Sequence, residues 1–126
     1  MNDRPVRIVL DTSAILAFCH ESIHVGEVIA EVADEECLVG LPVLCLAEAY
    51  RAADQDRLEL LENHPAVVVL TIDPFSWRAL AVTCETVGRA DAASALLAAV
   101  DAGGYVLTAQ PGLYAGLAGG GPIIPI

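Results

Sequence analysis

A chain of 126 residues that is 56% apolar is long enough for one sizeable core and too short for two, so a single domain over 1–126 is expected. Six Arg and no Lys face seventeen acids, giving a net charge of −11; this excludes a broad basic stripe for binding phosphates and leaves divalent cations or a basic partner to offset repulsion from any phosphodiester. The longest charge-free stretch, residues 102–126, holds seven Gly and three Pro and cannot be a continuous membrane helix, and the first residues lack a signal-peptide layout, so a cytoplasmic protein without membrane segments is expected.

Strand and helix signals alternate along the chain. Residues 6–10 are an apolar run suited to a strand buried on both faces. A short helix is predicted over 13–20 and a second over 23–36, with Val25, Val28, Ile29 and Val32 on one side. A short strand at 37–41 leads to Pro42, which suits the first turn of a helix reaching about residue 53, with a further helical piece over 56–62. The β-branched run 66–72 is the clearest strand; Asp73-Pro74 ends it and opens a helix to about residue 86, which Gly88 stops. An Ala-rich helix is predicted over 90–102, a strand over 105–108, a short helix over 111–117 and a last edge strand over 123–126. Four or five strands separated by helices indicate a doubly wound parallel α/β sheet.

Cys19, Cys37, Cys45 and Cys84 form no Cys-x-x-Cys pair and read as small buried hydrophobes, and the histidines at 20, 24 and 64 lack metal-ligand spacing. The carboxylates carry more information. Asp11 ends the first strand beside Thr12 and Ser13, where ligands collect in open parallel sheets; alone it reads equally as a helix cap or a functional acid. Glu48 follows Leu41, Leu44 and Cys45 at helical spacing, which puts it on the apolar stripe of its helix, with an ion pair to Arg51 as the alternative. Asp91 opens the Ala-rich helix among small residues, and Thr108 places a hydroxyl at the same sheet edge as Asp11. Should these acids converge, an oxygen-only donor set suits Mg²⁺ or Mn²⁺ and phosphodiester hydrolysis; Ser13 or Thr12 would then cap the first helix while Asp11 faces the cation. The chain has no Gly-rich phosphate loop, no nucleophile elbow and no lysine of the receiver kind, and Ser13 stands where a haloacid-dehalogenase-like enzyme has a second Asp.

The segments Ile8-Val9-Leu10-Asp11-Thr12-Ser13-Ala14, Leu46-Ala47-Glu48, Arg89-Ala90-Asp91-Ala92-Ala93-Ser94-Ala95 and Val106-Leu107-Thr108 together resemble a PIN domain, particularly the VapC-type toxins of bacterial toxin–antitoxin pairs. The resemblance covers nearly the whole chain. It implies a three-layer α/β/α sandwich, metal-dependent ribonuclease activity, and Asp11, Glu48 and Asp91 as three of four acids that hold Mg²⁺ or Mn²⁺. It further implies support from Ser13 and Thr108, an RNA substrate, an antitoxin partner and a homodimer. The chain departs from the family where Thr-x-Asp is usual: Thr108-Ala109-Gln110 ends in an amide, so one charge is lost. A PIN-like binding or oligomerisation module without catalysis is the alternative that this departure raises. A doubly wound ligand-binding domain whose acids are only caps is the blandest reading.

Overall fold

The structure, a computed structural model, describes residues 3–126. Five apolar runs, β1 (Val6–Leu10), β2 (Leu38–Pro42), β3 (Val67–Leu70), β4 (Tyr105–Thr108) and β5 (Ile123–Pro125), form one parallel sheet in the order β3-β2-β1-β4-β5. The helices are α1 (Thr12–Cys19), α2 (Ile23–Asp34), α3 (Val43–Tyr50), α4 (Gln55–Glu62), α5 (Trp77–Val87) and α6 (Ala90–Ala102). The chain first steps outward from β1 to β2 to β3, then returns past the start to β4 and β5. With right-handed crossovers, the two directions put α1, α2 and α4 on one face of the sheet and α5 and α6 on the other, a three-layer α/β/α sandwich. The reversal falls between β1 and β4, where Leu10 lies opposite Leu107.

Burial follows from that order. β1 and β4 are central, so Val9, Leu10, Val106 and Leu107 are fully enclosed, whereas β3 lies at an edge and its residues are half-buried. On one face Val25, Ile29 and Val32 of α2 complete the core; on the other, Ala92, Ala95 and Ala99 of α6 let the helix lie close to the sheet. Gly104 enters β4 against the Arg7 carbonyl, where any Cβ would collide with backbone. Cys19, Cys37 and Cys45 are buried, Cys84 is half-buried, and all are free thiols. Among the described residues, no helix is long and apolar enough to cross a membrane.

Several boundaries differ from the sequence expectations for local reasons. Pro42 completes β2 instead of lying within a helix, and α3 stops at Tyr50 because Asp54 opens α4 by accepting from the Asp56 and Arg57 N–H groups. The segment after Asp73 starts as a 3₁₀ turn (Pro74–Ser76) capped by the Asp73 carboxylate before α5 begins. Residues 111–117 form only a 3₁₀ turn (Pro111–Tyr114), as Gly112 and Gly116 make a longer helix unfavourable.

Candidate active site at the carboxyl edge of the sheet

In doubly wound sheets the strand-order reversal opens a crevice at the carboxyl ends, and here those ends carry Asp11 after β1 and Thr108 closing β4. α3 leaves the same edge from β2 and touches both α1 and α6, bringing Glu48 and Asp91 to the crevice. The result is a cleft of about 330 Å³ whose lining includes Asp11, Glu48, Asp91, Arg51, Arg89 and Gln110. The three sequence-predicted acids therefore meet in one cavity.

Asp11 is 2% exposed. Its Oδ1 accepts from the Ser13 hydroxyl at 2.7 Å and from the Ala14 N–H at 3.0 Å, and its Oδ2 accepts from the Tyr114 hydroxyl at 2.8 Å. The acid itself thus caps α1, and neither Ser13 nor Thr12 takes that role as expected. Ser13 donates to Asp11 and accepts from the Ala109 N–H at 2.8 Å. Since the Ser13 proton is committed to Asp11, Thr108 is the donor in its 3.2 Å contact with Ser13, and Thr108 accepts from the Gln110 N–H at 2.9 Å. A directed chain of hydrogen bonds thus runs from the β4 terminus to the Asp11 carboxylate. Thr12 instead donates to Asp91 Oδ2.

Glu48 corrects the sequence reading. The buried positions of α3 are Cys45 and Ala49; Glu48 lies at the edge of that stripe with its side chain 41% exposed. Its Oε1 accepts from Arg51 one turn on, the alternative that the spacing left open. Asp91 is more enclosed, with its side chain 11% exposed, and Arg89 grips it through two parallel bonds of 3.0 Å from Nε and the terminal nitrogen. Burial alone would raise the Asp91 pKa; the hydrogen bonds from Thr12 and Arg89 together with the Arg89 charge outweigh it and hold the carboxyl below its ordinary range. The same hydrogen bond and charge push Arg89 further up.

A depressed carboxyl pKa contributes stability that is present above the unfolded value and lost as pH falls through the folded one. Replacing Arg89 with Gln removes the charge and the bidentate grip, so the burial term gains weight and Asp91 takes up its proton at higher pH. Thermal melts should therefore show Arg89→Gln below the native chain at pH 7, with the gap closing between about pH 5 and pH 2 as the native chain loses the contribution of ionised Asp91. Coincident profiles would mean that the pair contributes nothing to acid stability.

Two nearby groups are chemically quiet. Burial pushes the Cys45 thiol up to about 12, and it donates to the Asp91 carbonyl at 3.2 Å, so it offers no thiolate nucleophile. Burial, then the Asp11 charge, raises Tyr114 well beyond the usual phenol range, so its hydroxyl stays a donor. His64 accepts from the Ala66 N–H through Nδ1, a turn-stabilising role.

The donor set suits a hard divalent cation in kind: carboxylate oxygens, with the Gln110 amide at the rim. Among the described residues, Asp11 uses three of its roughly four acceptor directions and keeps one on Oδ2, and Glu48 Oε2 accepts from no protein donor. Mg²⁺ commonly binds through one or two carboxylates while water and substrate oxygens complete its shell, and Asp11 and Glu48 each line the cleft with a carboxylate oxygen to offer. Asp91 has its charge balanced by Arg89, which weakens its pull on a cation. Among the described residues, no three Asp, Glu, His or Cys side chains stand together as a metal-holding group, so the fit is to a largely hydrated ion and not to an all-protein cage.

Two members of the site were not singled out from the sequence. Tyr114 lies in a Gly- and Pro-flanked segment without acids, and its cue was the one phenol placed just beyond the β4 edge. Arg89 stood within a quoted segment, and its cue was a guanidinium two residues before a first-turn Asp.

No family model matches the chain, and no curated protein is significantly similar to it. Among solved structures, the chain is similar to the crystal structure of PAE2754 from Pyrobaculum aerophilum, with a TM-score of 0.65 and 20% identity over 94% of this chain and 83% of that one. At this identity the likeness shows a shared fold, the parallel α/β/α arrangement described above.

Proposed function

We propose that the chain is a PIN-type endoribonuclease that depends on Mg²⁺ or Mn²⁺, of the kind found as the toxin of a toxin–antitoxin pair. The observation that carries this reading is the convergence of Asp11, Glu48 and Asp91 in one cleft at the strand-order reversal. A divalent cation held there supplies Lewis acidity toward a phosphodiester and offsets its negative charge. The residues do the rest. Ser13, Ala14 and Tyr114 fix the Asp11 carboxylate in one orientation. Arg51, with its side chain 76% exposed at the cleft mouth, can turn from Glu48 toward a phosphate oxygen. That turn frees the Glu48 Oε1 to take the proton of a water that attacks phosphorus, while the P–O bond to the leaving nucleoside oxygen breaks and that oxygen takes a proton from solvent.

With a net charge of −11, affinity for RNA should be weak unless divalent ions are present. The same imbalance suits an antitoxin that brings basic side chains. Phe75 and Trp77, exposed at the start of α5, offer a partner apolar contacts, in a protein we place in the cytoplasm. Incubation of the purified chain with single-stranded RNA should give cleavage with Mn²⁺ or Mg²⁺ that stops when EDTA is added. Folded protein that leaves RNA intact at millimolar Mn²⁺ would remove the nuclease reading. Two features favour a second reading, a PIN-like binding module without catalysis: Gln110 in place of an acid, and the Arg89 grip on Asp91.

A further inference from the structure

Tyr114 is 2% exposed, and its hydroxyl reaches across the sheet edge to Asp11, 103 positions earlier in the chain. It sits at the end of the 3₁₀ turn that follows Gln110, so the segment that lacks an acid still contributes to Asp11 by another route. The effect is specific to one atom. Oδ1 is saturated by Ser13 and Ala14, and the Tyr114 bond on Oδ2 leaves a single acceptor direction. Without that bond, Oδ2 would have two open directions and the one offered to a cation would no longer be fixed.

We infer that Tyr114 is the positioning residue for Asp11: its buried hydroxyl occupies one acceptor direction of Oδ2 and so fixes the single direction that is left to a cation. This rests on the proposed metal-dependent reading. Donors that orient ligating carboxylates are commonly worth about 10–100-fold in metal affinity.

Mn²⁺ binding, followed by electron paramagnetic resonance or calorimetry, tests the inference without reference to cleavage. Tyr114→Phe keeps the ring and removes only the hydroxyl; it should weaken Mn²⁺ binding by about 10-fold or more. Val25→Ala, a core change in α2 away from the cleft, should lower the melting temperature and leave Mn²⁺ affinity at the native value. Should the Phe variant fold poorly, Tyr114→Met fills similar space and predicts the same loss. A folded Phe or Met variant with native Mn²⁺ affinity overturns the inference and leaves the nuclease reading standing. A native chain that binds no Mn²⁺ overturns that reading, and the inference with it.

Discussion

Asp11→Ala is expected to lower stability by about 3–5 kcal/mol, whereas Asp11→Asn should fold and lose activity. The carboxylate is 2% exposed and accepts three hydrogen bonds, from a helix-terminal N–H, a serine and a buried phenol. Alanine deletes the cap, at about 1 kcal/mol, and leaves the Tyr114 hydroxyl buried without its partner, at about 1–3 kcal/mol; the Ser13 bond to a charged acceptor adds to both. For a chain of this size the fall in Tm should be roughly 10–20 °C. Asparagine keeps a carbonyl oxygen for Ser13 and Ala14, and its amide can donate to the Tyr114 oxygen, which reverses that bond without breaking it. Its Tm should therefore lie within about 5 °C of the native value, while on the proposed nuclease reading RNA cleavage drops by about 10³-fold, since the charge that would hold the cation is gone. Thermal melts paired with cleavage assays separate the two effects. Cleavage by Asp11→Asn at the native rate would exclude Asp11 from the chemistry.

The sheet was readable from sequence because its signals are local. Runs such as Val67–Leu70 and Tyr105–Thr108 are β-branched or apolar, and Gly88 and Gly103 adopt left-handed conformations where the helices were expected to stop. Strand-end placement likewise put Asp11 and Thr108 at one edge once a parallel sheet was inferred. Side-chain partnership was less accessible. Glu48 at helical spacing from Leu44 and Cys45 looked core-facing, yet the stripe is centred on Cys45 and Ala49, and a rotation of part of a turn brings the carboxylate to the cleft rim beside Arg51. The donors to Asp11 could not be assigned from local pattern either. A capping rule admits Asp, Ser or Thr equally, and the choice was decided by Tyr114 and Thr108, which arrive from the far end of the chain.

Gln110→Asp is expected to raise Mn²⁺ affinity by about 10–100-fold and to raise RNA cleavage with it. Three carboxylates and two guanidiniums now line the cleft, a formal balance of one negative charge, which limits its attraction for a divalent ion. The Gln110 backbone is anchored by its N–H on Thr108, so a shorter side chain there starts from a fixed point at the end of β4, close to the Asp11 network. A carboxylate at that position adds a like charge near Asp11. In the absence of metal the variant should therefore melt a few degrees below the native chain, and Mn²⁺ should restore more stability to it than to the native protein, following the difference in affinity. The added charge also competes with Asp91 for Arg89, which favours release of Asp91 toward the cation. Activity that appears only in Gln110→Asp would identify the native chain as a PIN-like module that has lost catalysis. Activity already present and then enhanced would show that three acids suffice. Unchanged Mn²⁺ affinity would mean that position 110 does not face the cation, and would separate this chain from the four-acid plan it resembles.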